Sequence, residues 1–412
     1  MKAKKPVPHW ATALLFVLAS LVSLSQAQTK DRYRVLHSFA SGKDGSAPFA
    51  GLVLDRAGDL YGTTWGGGGT GAFGIVFELL PRSGGKWVEK VVHRFAPRTE
   101  GGGPFAGLVF DVAGNLYGTT RTGGSNGVGT VFEMTPEAGG WAYNVLDSYG
   151  SNASLVGDSG GNLYGNIGPG KYGEGAATEL VHSAKGWEQR WLYSFCPKIN
   201  PCLDGDAPYA GLTWDTAGNL YGTTELGGKG VGGDWGTVFE LEHTSTGWKH
   251  LLLHSFPGFQ GDGKVAYAGV IFDGSGNLYG ATNSGGACDT CGTVFKLTRG
   301  AEGRWKESIL YNFPTPYDGS SPGASLVFDA DGNLYGTAAT GGNNACANGC
   351  GVIFKLTPGS GSKWTYSVVH RFNGNDGANP AAALILDKKG NLYGTTTLGG
   401  AGGYGVVFEI TP

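Results

Sequence analysis

The tripeptide Leu-Tyr-Gly recurs along almost the whole chain, and few folds accommodate such a pattern. It stands at Leu60-Tyr61-Gly62, Leu116-Tyr117-Gly118, Leu163-Tyr164-Gly165, Leu220-Tyr221-Gly222, Leu278-Tyr279-Gly280, Leu334-Tyr335-Gly336 and Leu392-Tyr393-Gly394. Successive tyrosines are separated by 56, 47, 57, 58, 56 and 58 residues, so six full units and one shortened unit form an array. A repeat on this scale argues for one closed or stacked body in 412 residues, where length alone would suggest two or three domains. Many of the 77 glycines fall at fixed repeat positions, as turns and bulges require.

Each unit reads as four short strands. In the sixth, Ala324 to Phe328 is an apolar run, Asp329 to Asn333 is turn chemistry, and Leu334 to Thr337 is extended again, which describes a hairpin. A third strand follows a glycine-rich loop, as at Gly236 to Leu241, and a fourth starts at a tryptophan, as at Trp248 to Phe256. No stretch shows helical periodicity. The seventh unit lacks a fourth strand, and Tyr33 to Phe39 carries that pattern ahead of the first hairpin. Pairing of 33–39 with Val406 to Ile410 would close a ring and remove its exposed edges. The expected fold is therefore an all-β, seven-bladed β-propeller of four-stranded antiparallel blades, with residues 28–412 as one domain and the third repeat, 153–195, shortened. A parallel solenoid is the structural rival, but it calls for end caps and has no use for a permuted strand.

The units, Gly-Leu-Val-x-Asp-x-x-Gly-Asn-Leu-Tyr-Gly-Thr-Thr followed by Gly-Thr-Val-Phe-Glu-Leu, resemble the Gloeo-Verruco (GloVer) tandem repeat of exported bacterial proteins. The resemblance spans Tyr33 to Pro412 and implies export. It brings no catalytic residue with it.

The N-terminus agrees with export. Lys2, Lys4 and Lys5 precede an apolar run from Ala11 to Leu24, and Ser25-Gln26-Ala27 suits a signal peptidase, so cleavage is expected after Ala27. A retained membrane anchor is the alternative, but the run is short for a span. The product should be secreted or periplasmic, without a membrane span, and monomeric. Loss of three lysines leaves 27 basic against 33 acidic residues, a net of −6, which disfavours nucleic acid or anionic membrane as partner.

In a propeller, small residues such as Ala50-Gly51, Ala106-Gly107 and Ala210-Gly211 suit the crowded axis, and the long loops share one face. All six cysteines fall in those loops: Cys196 and Cys202, Cys288 and Cys291, Cys346 and Cys350. Close pairs in an exported chain suggest three local disulfides, although 15 pairings are formally open; a zinc site built from the last four is the competing reading.

Two sets of loop residues are candidates for ligand binding. Asp44, Asp204, Asp262, Asp318 and Asp376, with Glu100 in the second unit, recur at one inter-blade position. Turn formation explains Asp-Gly there, while a ring of carboxylates at the channel mouth could hold a divalent cation such as calcium or a polyhydroxylated ligand. Aromatic residues interrupt the glycine-rich loops at Trp65, Phe73, Tyr172, Trp235, Tyr317 and Tyr404, where sugars or peptide side chains could stack. His37, His93, His254 and His370 share one repeat position and read as structural. No catalytic or phosphate-binding motif is present, and no cofactor is expected. The leading expectation is a binding or scaffold module for a glycan, an envelope component or an exported protein. The alternative is an extracellular carbohydrate-active hydrolase or lyase using carboxylates at the channel mouth. An enzyme should show a non-repeating polar cluster in one sector, and the irregular third unit, with Lys171, Tyr172 and Glu174, is the best place for it; decay of a repeat is the favoured account of that irregularity, since its third strand, Ala176 to Leu180, has also lost the phenylalanine.

Overall fold

The computed structural model describes residues 32–40, 42–96, 98–198, 201–229, 235–259, 261–361 and 363–411. The expected leader, 1–27, lies outside them. Seven four-stranded antiparallel sheets form a ring, a seven-bladed β-propeller, and each runs from a two-residue inner strand to a long outer one. Blade 4, for example, is Thr213–Trp214, Leu220–Thr224, Thr237–Thr244 and Gly247–Ser255 in spatial order. Arg32–Ser38 pairs with Val406–Thr411, Tyr33 opposite Ile410 and Val35 opposite Phe408, so the seventh blade is completed by the start of the chain.

The repeat residues explain why blades form and why they associate. The glycine of Leu-Tyr-Gly is set by an aromatic ring, because a Cβ on Gly222 would sit 2.6 Å from Phe239 Cζ, and on Gly336 2.4 Å from Phe354 Cζ. The tyrosine hydroxyl is held by two carboxylates: Tyr164 donates to Glu179 at 2.6 Å and lies 3.0 Å from Asp158. Where lysine replaces that glutamate, its ammonium lies over the ring, Lys296 on Tyr279 at 5.2 Å and Lys355 on Tyr335 at 5.3 Å. The turn aspartate accepts backbone N–H groups, as Asp215 does from Ala217 and Asn219, which holds its carboxyl below the ordinary range against the opposing effect of burial.

Blades meet through three recurring contacts. Each strand-opening tryptophan meets the preceding blade's tyrosine edge-on, as Trp141 does Tyr61 at 6.0 Å and Trp364 does Tyr279 at 6.1 Å. A phenylalanine after the outer strand packs on the third-strand phenylalanine of the next blade, as in Phe39–Phe77 at 5.3 Å and Phe256–Phe295 at 5.3 Å. Both rings of these pairs are fully buried, each worth roughly 1.5–3 kcal/mol in removal from water. Closer to the axis, a second-strand hydroxyl or amide reaches the next blade: Thr223 to Ala268 O at 2.9 Å, Thr337 to Ala382 O at 3.0 Å, and Thr395 to Ala50 O at 3.1 Å across the closure. The axis itself is lined by Gly51, Gly107, Ser154, Gly211, Gly269, Ser325 and Ala383 at one repeat position. A Cβ on Gly269 would come within 3.0 Å of Gly211 O, so only small residues fit.

Candidate functional site

The repeating carboxylates lie against the outer strands. Glu100 bonds His93 at 3.1 Å, Asp376 bonds His370 at 3.0 Å, Asp204 accepts from Tyr193 Oη at 2.6 Å, and Asp44 lies 3.6 Å from His37. The next blade contributes a ring to the same spot: Tyr143 stacks on His93 at 4.2 Å and donates to Glu100 O at 2.6 Å. Asp262 faces Glu307, and Asp318 supplies its carbonyl to Tyr366. Burial depresses His37, His93 and His254, and pushes His250 down to about 4. The structure thus brings these carboxylates to the blade seams, each engaged with protein groups, and keeps them apart from one another.

The loop aromatics are mostly tied to neighbouring cations. Arg121 lies 5.9 Å from the Trp65 ring, Lys171 5.4 Å from Tyr172, Lys264 4.6 Å from Trp235 and Arg371 5.1 Å from Tyr317. Tyr404 is 46% exposed and lends its carbonyl to Ala47 N–H, and Phe73 is 53% exposed. The six cysteines close as Cys196–Cys202, Cys288–Cys291 and Cys346–Cys350, which leaves no thiolates for the zinc arrangement. Among the described residues no group of three or more His, Cys, Asp or Glu side chains could hold a metal ion.

The third unit is where the pattern breaks. It builds all four strands, Val156–Gly157, Leu163–Asn166, Ala176–Ser183 and Gly186–Ser194; most of the missing length comes from the approach loop, 148–155 against 95–108 in the blade before, and the rest from the turn 138–139 against 82–86. In the six other blades that loop is tied back to its own blade, by Ser46 on Gly66 or Asp206 on Leu226, for example. Residues 148–155 make no such bridge. The buried phenylalanine pair is gone too: Tyr149 and Thr178 occupy its two positions, and the Thr178 hydroxyl turns to Ile167 O at 2.9 Å.

A cleft of about 370 Å³ opens in that sector on the long-loop face, between blades 2, 3 and 4. Its polar lining includes Arg121, Asn152, Asn166, Glu174, Asp206 and Tyr209. Asn166, only 6% exposed, donates to Ala210 O at 2.6 Å, and its Oδ1 has no partner; the Oδ1 of Asn152 is likewise buried and unpartnered. Asp206 is pushed up to about 6, by burial first and then by the Glu174 carboxylate. Glu225 lies near this pair and accepts from Tyr267 Oη at 2.5 Å.

The cleft adjoins an aromatic crescent at the axial mouth. Two residues before the small axial residue, blades 1, 2, 4 and 5 carry Phe49, Phe105, Tyr209 and Tyr267, blade 3 carries Asn152, and blades 6 and 7 carry Gly323 and Ala381. Phe49 and Phe105 stack at 5.0 Å, with Trp65 edge-on to both at 6.2 and 6.1 Å. Tyr209 and Tyr267 are 43% and 39% exposed. Of the third-unit residues singled out in the sequence, Glu174 lines this cleft; the crescent, Asp206 and Asn166 were passed over. The signal was available: aligning units on the small axial residue shows a position that is aromatic in only four of them.

The repeat model for Gloeobacter/Verrucomicrobia proteins matches residues 20–233, 150–362 and 306–412, which together cover nearly the whole chain. The chain belongs to the Gloeobacter/Verrucomicrobia repeat family. No curated protein matches this repeat protein. Its structure is similar to that of an oxidoreductase of Thermus thermophilus described as a glucose dehydrogenase, at 14% identity and TM-score 0.46 over 92% of this chain and all of that one. It is also similar to a gluconolactonase of Xanthomonas campestris, at 12% identity and TM-score 0.44 over 93% of this chain and 90% of that one. Within the Gloeobacter/Verrucomicrobia family chain, the seven-fold scaffold and its one broken seam therefore have to be read from their own residues.

Proposed function

We propose that this protein is an exported carbohydrate-binding propeller whose ligand lies at the long-loop mouth, over the cleft between blades 2 and 4. The observation that carries this reading is the aromatic crescent beside a cleft that holds two buried, unpartnered amide oxygens. Exposed rings offer faces for the C–H side of a sugar, while Asn152, Asn166 and the carboxylates accept from its hydroxyls. The two orphaned oxygens carry a desolvation cost of roughly 1–3 kcal/mol each, which a ligand hydroxyl would recover once either side chain turns toward the cleft. Three disulfides and the lack, among the described residues, of a helix able to cross a membrane are consistent with export.

The test is a glycan array read with residues 28–412 of the wild type, Tyr209→Ala and Asn152→Ala. A hit weakened about tenfold or more in both variants, with unchanged circular dichroism, is the expected result. Binding that ignores both substitutions would refute the site, and an empty array would turn the search to envelope proteins. Chelator sensitivity would show that binding needs a divalent cation such as calcium. One observation favours a second reading, a glycan hydrolase or lyase: Asp206 holds its proton up to about pH 6 beside Glu174, the pairing that general acid–base chemistry uses. Turnover of an array hit, lost in Asp206→Asn with binding retained, would select it.

A further inference from the structure

The opposite face, built from the tight turns, also departs from seven-fold symmetry. The turn between first and second strands reads Asp-Thr-Ala-Gly-Asn in blade 4 and Asp-Gly-Ser-Gly-Asn in blade 5, but Asp387-Lys388-Lys389-Gly390-Asn391 in blade 7 and Asp55-Arg56-Ala57-Gly58-Asp59 in blade 1. Blade 1 adds Arg82 and Lys86 in the turn between its third and fourth strands. These five cations rim one cleft of about 1020 Å³ that spans blades 7, 1 and 2, and all five are exposed.

The acidic groups of the same cleft are already committed. Asp55 accepts from Ala57 and Asp59 N–H, Asp111 from the backbone and side chain of Asn115, and Asp387 from Lys389 N–H, Asn391 and Tyr393. Glu409 is bound by Arg34 and by Tyr393 Oη at 2.9 Å. Asp59 lies near Arg82 and offsets part of its charge. Among the described residues Arg56, Lys86, Lys388 and Lys389 form no ion pair. These carboxylates keep their charge, but the lining holds six cations, Arg34 included, against four carboxylates, so the cleft is net positive on a protein whose overall charge is negative.

The walls bear half-buried aromatic rings, Trp87, Phe110 and Trp141. The geometry points to a second binding site, for an acidic polysaccharide with a carboxylate on its repeating sugar. Cations on three turns of two adjoining blades match charges repeated along a polymer, and rings in the cleft wall match the apolar faces of its sugars. A single small anion would need one convergent pocket, whereas here the lysines and arginines lie on separate turns. This surface is on the face away from the long-loop mouth, so its occupancy does not depend on the site proposed there.

Two charge-removal variants test this, Arg56→Gln/Lys388→Gln/Lys389→Gln and Arg82→Gln/Lys86→Gln, all at exposed turn positions. Affinity electrophoresis in gels containing polygalacturonate, its methyl-esterified form or DNA reads the outcome, with Tyr209→Ala as the control for the other face. Wild type and Tyr209→Ala should be retarded by polygalacturonate alone, each multiple variant about tenfold less, and roughly 0.5 M salt should release all of them. Equal retardation by the esterified polymer, unchanged retardation of both variants, or no retardation of the wild type would each overturn the proposal. Stronger retention by DNA would also overturn it, by assigning the cations to phosphate.

Discussion

Glu307 should give the protein an alkaline weakness that one substitution reduces. It stands on the outer strand of blade 5 with its side chain 14% exposed, 3.4 Å from His254 and facing Asp262, both contributed from the blade 4 side. Burial first, and then the charge of Asp262, push its carboxyl from an ordinary 4.5 up to about 8. A carboxyl raised in the folded state contributes stability that is complete below its unfolded value and is lost as pH rises to the folded one. The loss approaches 1.36 kcal/mol per pH unit, or about 2 kcal/mol between pH 6.5 and 8. The depressed histidines act in the other direction and lower down: His37, His93, His254 and His250, the last held to about 4, stabilise above pH 6.5 and lose that contribution on acidification. Stability should therefore peak near pH 6.5. Glu89, pushed up to about 7 by burial and then Asp44, adds to the alkaline limb. The difference between wild type and Glu307→Gln isolates Glu307. Urea unfolding at half-unit steps from pH 6.5 to 8.5 measures it, and the variant should lose about 2 kcal/mol less than wild type by pH 8. Parallel curves for the two proteins would refute the reasoning.

Gly336→Ala should cost about 1–3 kcal/mol by thermal or urea unfolding, because the new methyl meets Phe354 Cζ, and Phe354→Leu in the same chain should recover part of it. Thr63, buried with an unpartnered hydroxyl, should tolerate valine or gain slightly, whereas Thr395→Val, which removes the closure bond to Ala50 O, should cost about 1–2 kcal/mol; equal effects at the two sites would show that the inter-blade bond carries no weight.

The fold was legible because its determinants recur. Leu-Tyr-Gly, the turn aspartate, the strand-opening tryptophan and the displaced Tyr33 strand each have local chemistry, and seven copies average out accident. The disulfides were legible for a similar reason, since partners only three to six residues apart leave little choice of geometry. Candidate residues were harder. The repeating aspartates looked available because Asp-Gly says nothing of what the carboxylate faces, and their histidine and tyrosine partners come from outer strands and adjoining blades. The crescent went unseen because Phe49 or Tyr209 looks like any apolar residue entering a strand; its meaning comes from ring closure, which sets residues about 50 apart side by side around an axis. The cleft of blade 3 follows from absences, a shortened loop and a lost phenylalanine, which sequence shows only as irregularity.

Completion of blade 7 by Arg32–Ser38 also orders events during synthesis. Val35 is made about 370 residues before its register partner Phe408, so that strand waits unpaired while the six intervening blades are finished. Joining points about 370 residues apart in an open coil, compared with about 50, costs roughly 2 kcal/mol more in loop entropy. Stacking of intermediate blades shrinks that distance stepwise, since each new blade turns the growing arc further around the axis. The last seam then forms between surfaces already nearly in contact, and it converts a row of neighbour-coupled units into a ring that has to open before any one of them can peel away.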